Sequence, residues 1–92
     1  MNFGTVVENL KLGNSAQREG WNGKGMYLIL IKGDAVQQAI SDRYGDGGEG
    51  LPVCDAIYMK TADNKLIPWL ASQADILSED WMLSGKVSNW NN

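Results

Sequence analysis

Asp75, Glu79 and Asp80 lie within six residues of one another, close enough in sequence for two of the carboxylates to share a site. Paired carboxylates can divide general acid and general base work, and clustered ones can hold magnesium through their oxygens. The same residues also suit a plainer arrangement: an acid in the first turn of a short helix, then charge at a hairpin exit facing solvent. The plainer arrangement is favoured, because little else of a catalytic apparatus accompanies them. Histidine, the side chain that titrates nearest neutrality, is absent from the chain. Cys54 sits in an apolar run with no base near it in sequence, and reads as a small hydrophobe rather than a nucleophile. The run Gly45 to Gly50 is rich in glycine but lacks the lysine and the strand-to-helix setting of a phosphate loop. No catalytic residue, metal site or cofactor is assigned, and the chain reads as a binding protein rather than an enzyme.

The four tryptophans are more informative. Trp81, alternating with Met82, suits a core position or a subunit interface. Trp21 lies among glycines and polar groups, Trp69 follows Pro68, and Trp90 stands in an otherwise polar tail. A core position on a helix or strand explains none of these three well. Rings held on loops and element ends can stack on a flat heterocycle. They can equally seal a subunit interface, where tryptophan is enriched. The two readings coincide if a ligand binds between subunits.

Size and charge narrow the partners. A chain of 92 residues is one domain, 1–92, and buries only roughly 60–65% of the surface its unfolded form exposes. One cysteine and no histidine leave neither a disulfide nor a zinc cluster to supplement that core, so a homo-oligomer is expected. The lone cysteine suits a reducing, cytoplasmic location. Met1-Asn2-Phe3-Gly4 has neither the basic nor the apolar segment of a signal peptide, and Met26 to Ile31 is too short an apolar run to span a membrane. A net charge of −3, with no basic stripe, argues against duplex nucleic acid as a partner. A small anion can still be served by one or two local cations and a helix start.

The elements that must position these residues read as an α+β domain. Asn2 is a cap for a helix over 3–12, with Phe3, Val6, Val7 and Leu10 on one stripe and Gly13 as its left-handed stop. Ser15 to Arg18 suits a short strand, and Met26 to Ile31 a central one between glycine-rich flanks. Asp34 to Tyr44 has helical spacing, and Gly45 to Gly50 is a loop. Val53 to Lys60 and Leu66 to Trp69 form a hairpin around 62–65, with Pro68 demanding an edge or a bulge. Ser72 and Asp75 open a third helix as cap and acid three residues on, with Ala74 and Leu77 expected to face the core and Ile76 beside them. Glu79 to Leu83 is the last strand, and 84–92 a polar tail. The sum is a small antiparallel sheet of four or five strands packed with two or three short helices.

Four stretches carry a resemblance: Arg18-Glu19-Gly20-Trp21-Asn22-Gly23-Lys24-Gly25-Met26, Met59-Lys60-Thr61-Ala62-Asp63, Pro68-Trp69-Leu70-Ala71-Ser72-Gln73-Ala74-Asp75-Ile76-Leu77 and Glu79-Asp80-Trp81. In their order and spacing over residues 2–83, the chain resembles the phage and prophage family of Thoeris anti-defence proteins of the second type. Residues 34–50 correspond to the family's variable middle. The resemblance implies a protein made in the cytoplasm of an infected bacterium. There it would act as a sponge for cyclic ADP-ribose isomers, the glycocyclic signals of Thoeris defence, and starve the effector without cleaving its activator. It further implies a homotetramer with pockets between neighbouring subunits; some relatives also hold cyclic dinucleotides at separate sites.

Under that resemblance, Trp21 and Trp69 are candidates to wall the purine. Arg18 and Lys24 are the motif cations nearest to a pyrophosphate, and Asn22 would read an edge or hydroxyl. Asp75 would accept from ribose hydroxyls or the adenine amine, and Ser72 would offer a hydroxyl or N–H at a helix start. Trp90 and Asn92 would reach a neighbour's pocket from the tail. Arg18 has the alternative of pairing with Asp80, and Trp69 of serving the core. Two other functions stay open at this level: a protein-binding phage inhibitor or small structural protein using the same tryptophan surface, and a phosphodiesterase built on Asp75, Glu79 and Asp80.

Overall fold

The computed structural model describes residues 1–21, 25–44 and 52–86. Its elements run α1 (Phe3–Lys11), β1 (Asn14–Arg18), a single 3-10 turn (Glu19–Trp21), β2 (Tyr27–Ile31), α2 (Gly33–Tyr44), β3 (Ala56–Lys60), β4 (Leu66–Pro68), α3 (Gln73–Leu77) and β5 (Trp81–Lys86). The five strands form one antiparallel sheet in the order β4-β3-β2-β1-β5. This is the α+β arrangement expected from the sequence, with β2 at its centre and the proline-bearing β4 at one edge.

Local chemistry accounts for α1. The Asn2 side chain accepts from the Thr5 N–H at 2.9 Å, relieving one of the donors that a helix start leaves without a partner. Val6 and Leu10, one turn apart, are fully buried. Gly13 takes a φ of 91°, a region that side-chain-bearing residues resist, and its N–H returns to the Leu10 carbonyl at 3.0 Å. The chain thereby leaves the helix and turns directly into β1.

The core is Val6 and Leu10 of α1, Ala16 of β1, Leu28 and Leu30 of β2, and Trp81 of β5, with Phe3, Trp21, Ile57, Met59 and Trp69 packed against it. Ile29 alternates with Leu28 and Leu30 and so points to the other face, yet it is also buried. Burial on both faces explains why β2 is an unbroken apolar run rather than an alternating one.

Three expectations need correction. The strand read from Val53 begins at Ala56, and Cys54 is exposed rather than part of an apolar strand. The physical cause is α2. The Val53 N–H donates to the Gln37 side chain at 2.9 Å, and the Gly33 N–H to Asp55 at 2.8 Å, so the chain before β3 is drawn onto the helix start. Any side chain at position 33 would meet the Val53 carbonyl oxygen, only 1.9 Å from where a Cβ would stand.

Ala74 and Leu77 do not face the core. Ala74 is exposed, Leu77 is 75% exposed and Ile76 48%. A helix of five residues presents too little surface for a buried stripe; it is held through polar contacts at Ser72 and Asp75 instead. The last strand starts two residues later than expected and runs on to Lys86, so residues 84–86 join the sheet.

Candidate functional site

Trp81 organises one end of the sheet. It lies on β5 opposite Arg18 of β1 and is 2% exposed. Three rings gather around it: Phe3 at 5.3 Å between centroids, Trp21 at 5.6 Å and Trp69 at 6.1 Å, the two tryptophans meeting it edge to face. These spacings and tilts suit the aromatic quadrupole, positive edge against negative face. Trp21 and Trp69 are each partly buried and pack against the core. Neither is simply a loop ring or a core ring.

Beside this cluster Arg18 ties two aspartates together. Its Nε donates to one oxygen of Asp80 at 3.0 Å, and one terminal nitrogen donates to Asp75, also at 3.0 Å. The pairing of Arg18 with Asp80 considered from the sequence is therefore present, with Asp75 as a second partner. All three side chains are partly shielded from solvent. The guanidinium pKa rises, first through its bond to Asp80 and then through Asp75. The Asp80 carboxyl is held below the usual carboxylate range by Arg18. Burial pushes Asp75 upward, but the Ser72 N–H and hydroxyl together with Arg18 outweigh it and hold this carboxyl low as well. Both acids are ionised at neutral pH, and the triad carries a net charge of −1 (one cation, two anions).

Each member is positioned from a different element. Ser72 and Asp75 form a capping box: the Asp75 N–H donates to the Ser72 hydroxyl oxygen at 3.1 Å, and the Ser72 N–H donates to Asp75 Oδ2 at 3.0 Å. Asp80 meets three successive residues of the corner after β1. Besides Arg18, its main-chain carbonyl accepts from the Glu19 N–H at 3.0 Å, and its Oδ2 lies 3.4 Å from the Gly20 nitrogen. The Trp81 indole N–H donates to the Asp75 main-chain carbonyl at 2.9 Å, linking β5 to α3. The amino group of Met1 donates to the Glu79 and Trp81 carbonyls.

Of the residues singled out from the sequence, Arg18, Trp21, Trp69, Ser72 and Asp75 are brought together around Trp81. Asn22, Lys24, Trp90 and Asn92 lie outside the described residues. Asp80, considered as a clustered acid and as a partner for Arg18, and Trp81, considered as a core or interface ring, were not among the ligand-binding candidates. Their shared signal was the adjacent acid and tryptophan in Glu79-Asp80-Trp81 at a strand start, and the structure sets both against Arg18. Among the described residues no group of three or more His, Cys, Asp or Glu is placed to hold a metal ion. Arg18 stands between the two aspartates that a cation would need, and Glu79 is exposed. No helix among the described residues is long and apolar enough to cross a membrane.

Fold and site together define a class: a small antiparallel α+β domain whose tryptophan cluster opens beside an arginine–diaspartate network. The Thoeris anti-defense 2-like domain matches residues 1–84. The Thoeris anti-defense 2 protein of Bacillus phage SP01 is 42% identical over 81 residues, spanning 88% of this chain and 91% of the relative. The chain belongs to the Thoeris anti-defense 2-like family. That membership supports a role in countering an anti-phage defence.

Proposed function

We propose that this protein sequesters a cyclic ADP-ribose isomer, the glycocyclic signal of Thoeris defence, and releases it chemically unchanged. The observation that carries the reading is the half-open pair Trp21 and Trp69 around the buried Trp81, with the Arg18–Asp75–Asp80 network beside them. Two partly exposed indoles offer stacking surface for a purine, and the network offers acceptors and donors for its ribose hydroxyls. Family membership supports the same direction.

The charge balance refines the proposed roles. Arg18 is shared between two carboxylates, which use two of its five N–H donors. It therefore holds the network and contributes its remaining donors to the pyrophosphate, while Lys24 supplies the free positive charge. Asn22 reads an edge, Ser72 stands at the helix start, and Trp90 and Asn92 complete the pocket from the tail of a neighbour.

Assembly belongs to the same proposal. Leu70 is 91% exposed, Leu77 75%, Ile76 48% and Ile67 44%, all along β4, α3 and their connection. Large apolar side chains left open on a small domain are what subunit contacts cover. We take the active form to be a homotetramer in the cytoplasm of the infected bacterium, with pockets between subunits. Two aspartates kept ionised, Asp75 by Ser72 and Arg18 and Asp80 by Arg18, cannot donate a proton near neutral pH, which supports holding over cleavage.

Ligand transfer tests the reading. The purified protein is incubated with cyclic ADP-ribose and its glycocyclic isomers, separated from free nucleotide, denatured and filtered. An intact isomer should appear in the filtrate at one or more sites' worth per assembly. A cleaved product would make the protein an enzyme. Capture of no isomer, with defence still suppressed, would favour a protein partner for the tryptophan surface.

A further inference from the structure

Asp75 and Asp80 both bind Arg18, but they differ in what they have left to offer. Asp75 uses Oδ1 on Arg18 and Oδ2 on both the Ser72 N–H and the Ser72 hydroxyl, at 3.0 and 2.8 Å. Asp80 uses Oδ1 on Arg18, whereas its Oδ2 meets, among the described residues outside its own backbone, the Gly20 N–H at 3.4 Å, beyond the usual range of an N–H···O bond. A carboxylate has about four lone-pair sites, so Asp80 is the acid with acceptor capacity in hand. That oxygen is held in place, because the other half of the carboxylate is anchored to Arg18 and the adjoining carbonyl to Glu19.

Gly20 keeps the oxygen uncovered. It does not adopt a positive φ, so the backbone does not demand glycine there. A Cβ at position 20 would stand 3.8 Å from Asp80 Oδ2, an ordinary contact, and anything longer would extend over the carboxylate. Gly20 is itself exposed and immediately precedes Trp21, whose ring packs on Trp81, the residue after Asp80. An open acceptor, a nearby main-chain N–H and a half-open indole thus stand on adjoining residues of two strand ends.

We infer that Asp80 is a specificity-determining residue, whose outer carboxylate oxygen accepts a hydrogen bond from a neutral N–H or O–H donor on the nucleotide stacked at Trp21. The inference rests on the sequestration reading above. The net negative charge of the network favours such a donor over a phosphate oxygen at this point. An exocyclic amine of the base and a ribose hydroxyl share this chemistry.

Binding of three probes separates them: a glycocyclic ADP-ribose isomer, its inosine counterpart, in which a carbonyl replaces the amine, and its counterpart lacking one ribose hydroxyl. Each is titrated into wild type, Asp80→Asn and Gly20→Leu, all first matched in assembly mass. In Asp80→Asn the side-chain oxygen still accepts from Arg18, while the outer acceptor becomes a donor. Wild type should discriminate against one of the two altered probes, naming the group read. Asp80→Asn should bind the parent isomer roughly ten- to a hundred-fold more weakly and lose that discrimination. Gly20→Leu, which leaves the carboxylate and its tie to Arg18 intact, should also weaken the parent by covering the oxygen; it decides the matter if Asp80→Asn fails to assemble. Equal weakening of all three probes in Asp80→Asn, with discrimination kept, would make Asp80 structural and overturn the inference alone. Unchanged affinity in both variants would overturn it too. Failure of wild type to hold any isomer would instead remove the sequestration reading on which it stands.

Discussion

The indole N–H of Trp81 donates to the main-chain carbonyl of Asp75 at 2.9 Å, so the most buried aromatic ring of the sheet also holds the shortest helix. The carbonyls of a five-residue helix have few partners of their own. Trp81→Phe keeps an aromatic ring in the core but strips the donor. Leaving this partly buried carbonyl without its partner costs up to about 1–3 kcal/mol, before any loss of packing. Trp69→Phe, at a half-buried ring whose indole N–H makes no bond of this kind to α3, should cost less. Urea midpoints at one fixed protein concentration compare the two; equal losses would show that the hydrogen bond contributes little.

Acid should loosen the same end of the molecule. The Asp75 and Asp80 pKa values are depressed in the folded chain, so protons bind the unfolded state more readily. Their contribution is therefore complete above the ordinary carboxylate value, about pH 4, and disappears as the pH falls from there through the depressed values. Arg18 remains charged throughout. The urea midpoint of wild type should fall below about pH 4. Asp75→Asn should start lower at neutral pH and show a shallower acid decline, since one of the depressed groups at this end of the molecule is gone. An acid decline as steep as wild type's would assign the titration to other carboxylates.

Two glycines should respond in opposite directions to the same substitution. A methyl group at Gly33 would fall 1.9 Å from the Val53 carbonyl oxygen, and backbone must move to admit it. Gly33→Ala is expected to cost about 1–3 kcal/mol, as overpacking does. At Gly4, in the first turn of α1, the nearest atom would be Asn2 Oδ1 at 3.5 Å, an ordinary contact. Gly4→Ala should stabilise by about 0.4–1 kcal/mol through a less flexible unfolded chain. Thermal unfolding of the two variants beside wild type reads both signs.

Those two glycines also mark where the sequence can be read and where it cannot. Asn2, Gly13, Pro68 and the Ser72–Asp75 box act on neighbours within a few residues, so their roles as cap, stop, edge marker and capping box are visible in the chain itself. The continuous run of β2 likewise announces its central place. Gly33 looks like an ordinary helix flank until Val53, twenty residues on, is folded against it. Cys54 follows from that: its run looks like a strand, but α2 draws it off the sheet. The same holds for the site. Arg18 meets Asp75 and Asp80 across separations of 57 and 62 residues, and no local spacing foretells which acid it takes. Trp21 and Trp69 look like loop rings because their burial is supplied by a third tryptophan on another strand. Ala74 and Leu77 mislead in the opposite sense, since helical spacing predicts a buried face only where there is a layer to bury it against.

The apolar rim gives a prediction about assembly. Leu70 and Leu77 are 91% and 75% exposed, so charging them costs the folded subunit little. Within a subunit contact, a carboxylate at either position would be desolvated without a partner. The double variant Leu70→Glu, Leu77→Glu should keep its secondary structure and lower the assembly mass measured by light scattering at micromolar concentration. If the mass is unchanged from wild type, these leucines lie outside the contact, and another face must supply it.

Holding and cleaving can be told apart by what survives denaturation. On the sequestration proposal, stacking on Trp21 and Trp69 and hydrogen bonds from the Arg18–Asp75–Asp80 network would stabilise a bound nucleotide without favouring the transition state of any reaction. Suppression must then be stoichiometric: sites have to outnumber signal, and their affinity has to exceed that of the effector. A dissociation constant near ~10 nM corresponds to about −11 kcal/mol, within reach of a closed pocket with two aromatic walls. Wild type, Trp69→Ala and Asp75→Ala, matched in assembly mass, are mixed with the glycocyclic isomer, and activity of the Thoeris effector is measured before and after heating the mixture. Wild type should silence the effector, and heating should restore its full activity. Trp69→Ala removes one of the two proposed stacking rings and should weaken capture by roughly 1–3 kcal/mol, on the scale of base–aromatic stacking. Asp75→Ala removes the capping box along with an acceptor, so its loss of capture should come with a lower urea midpoint, whereas that of Trp69→Ala should exceed any loss of stability. Activity that stays silent after heating would mean the signal had been consumed, and the protein would have to be an enzyme.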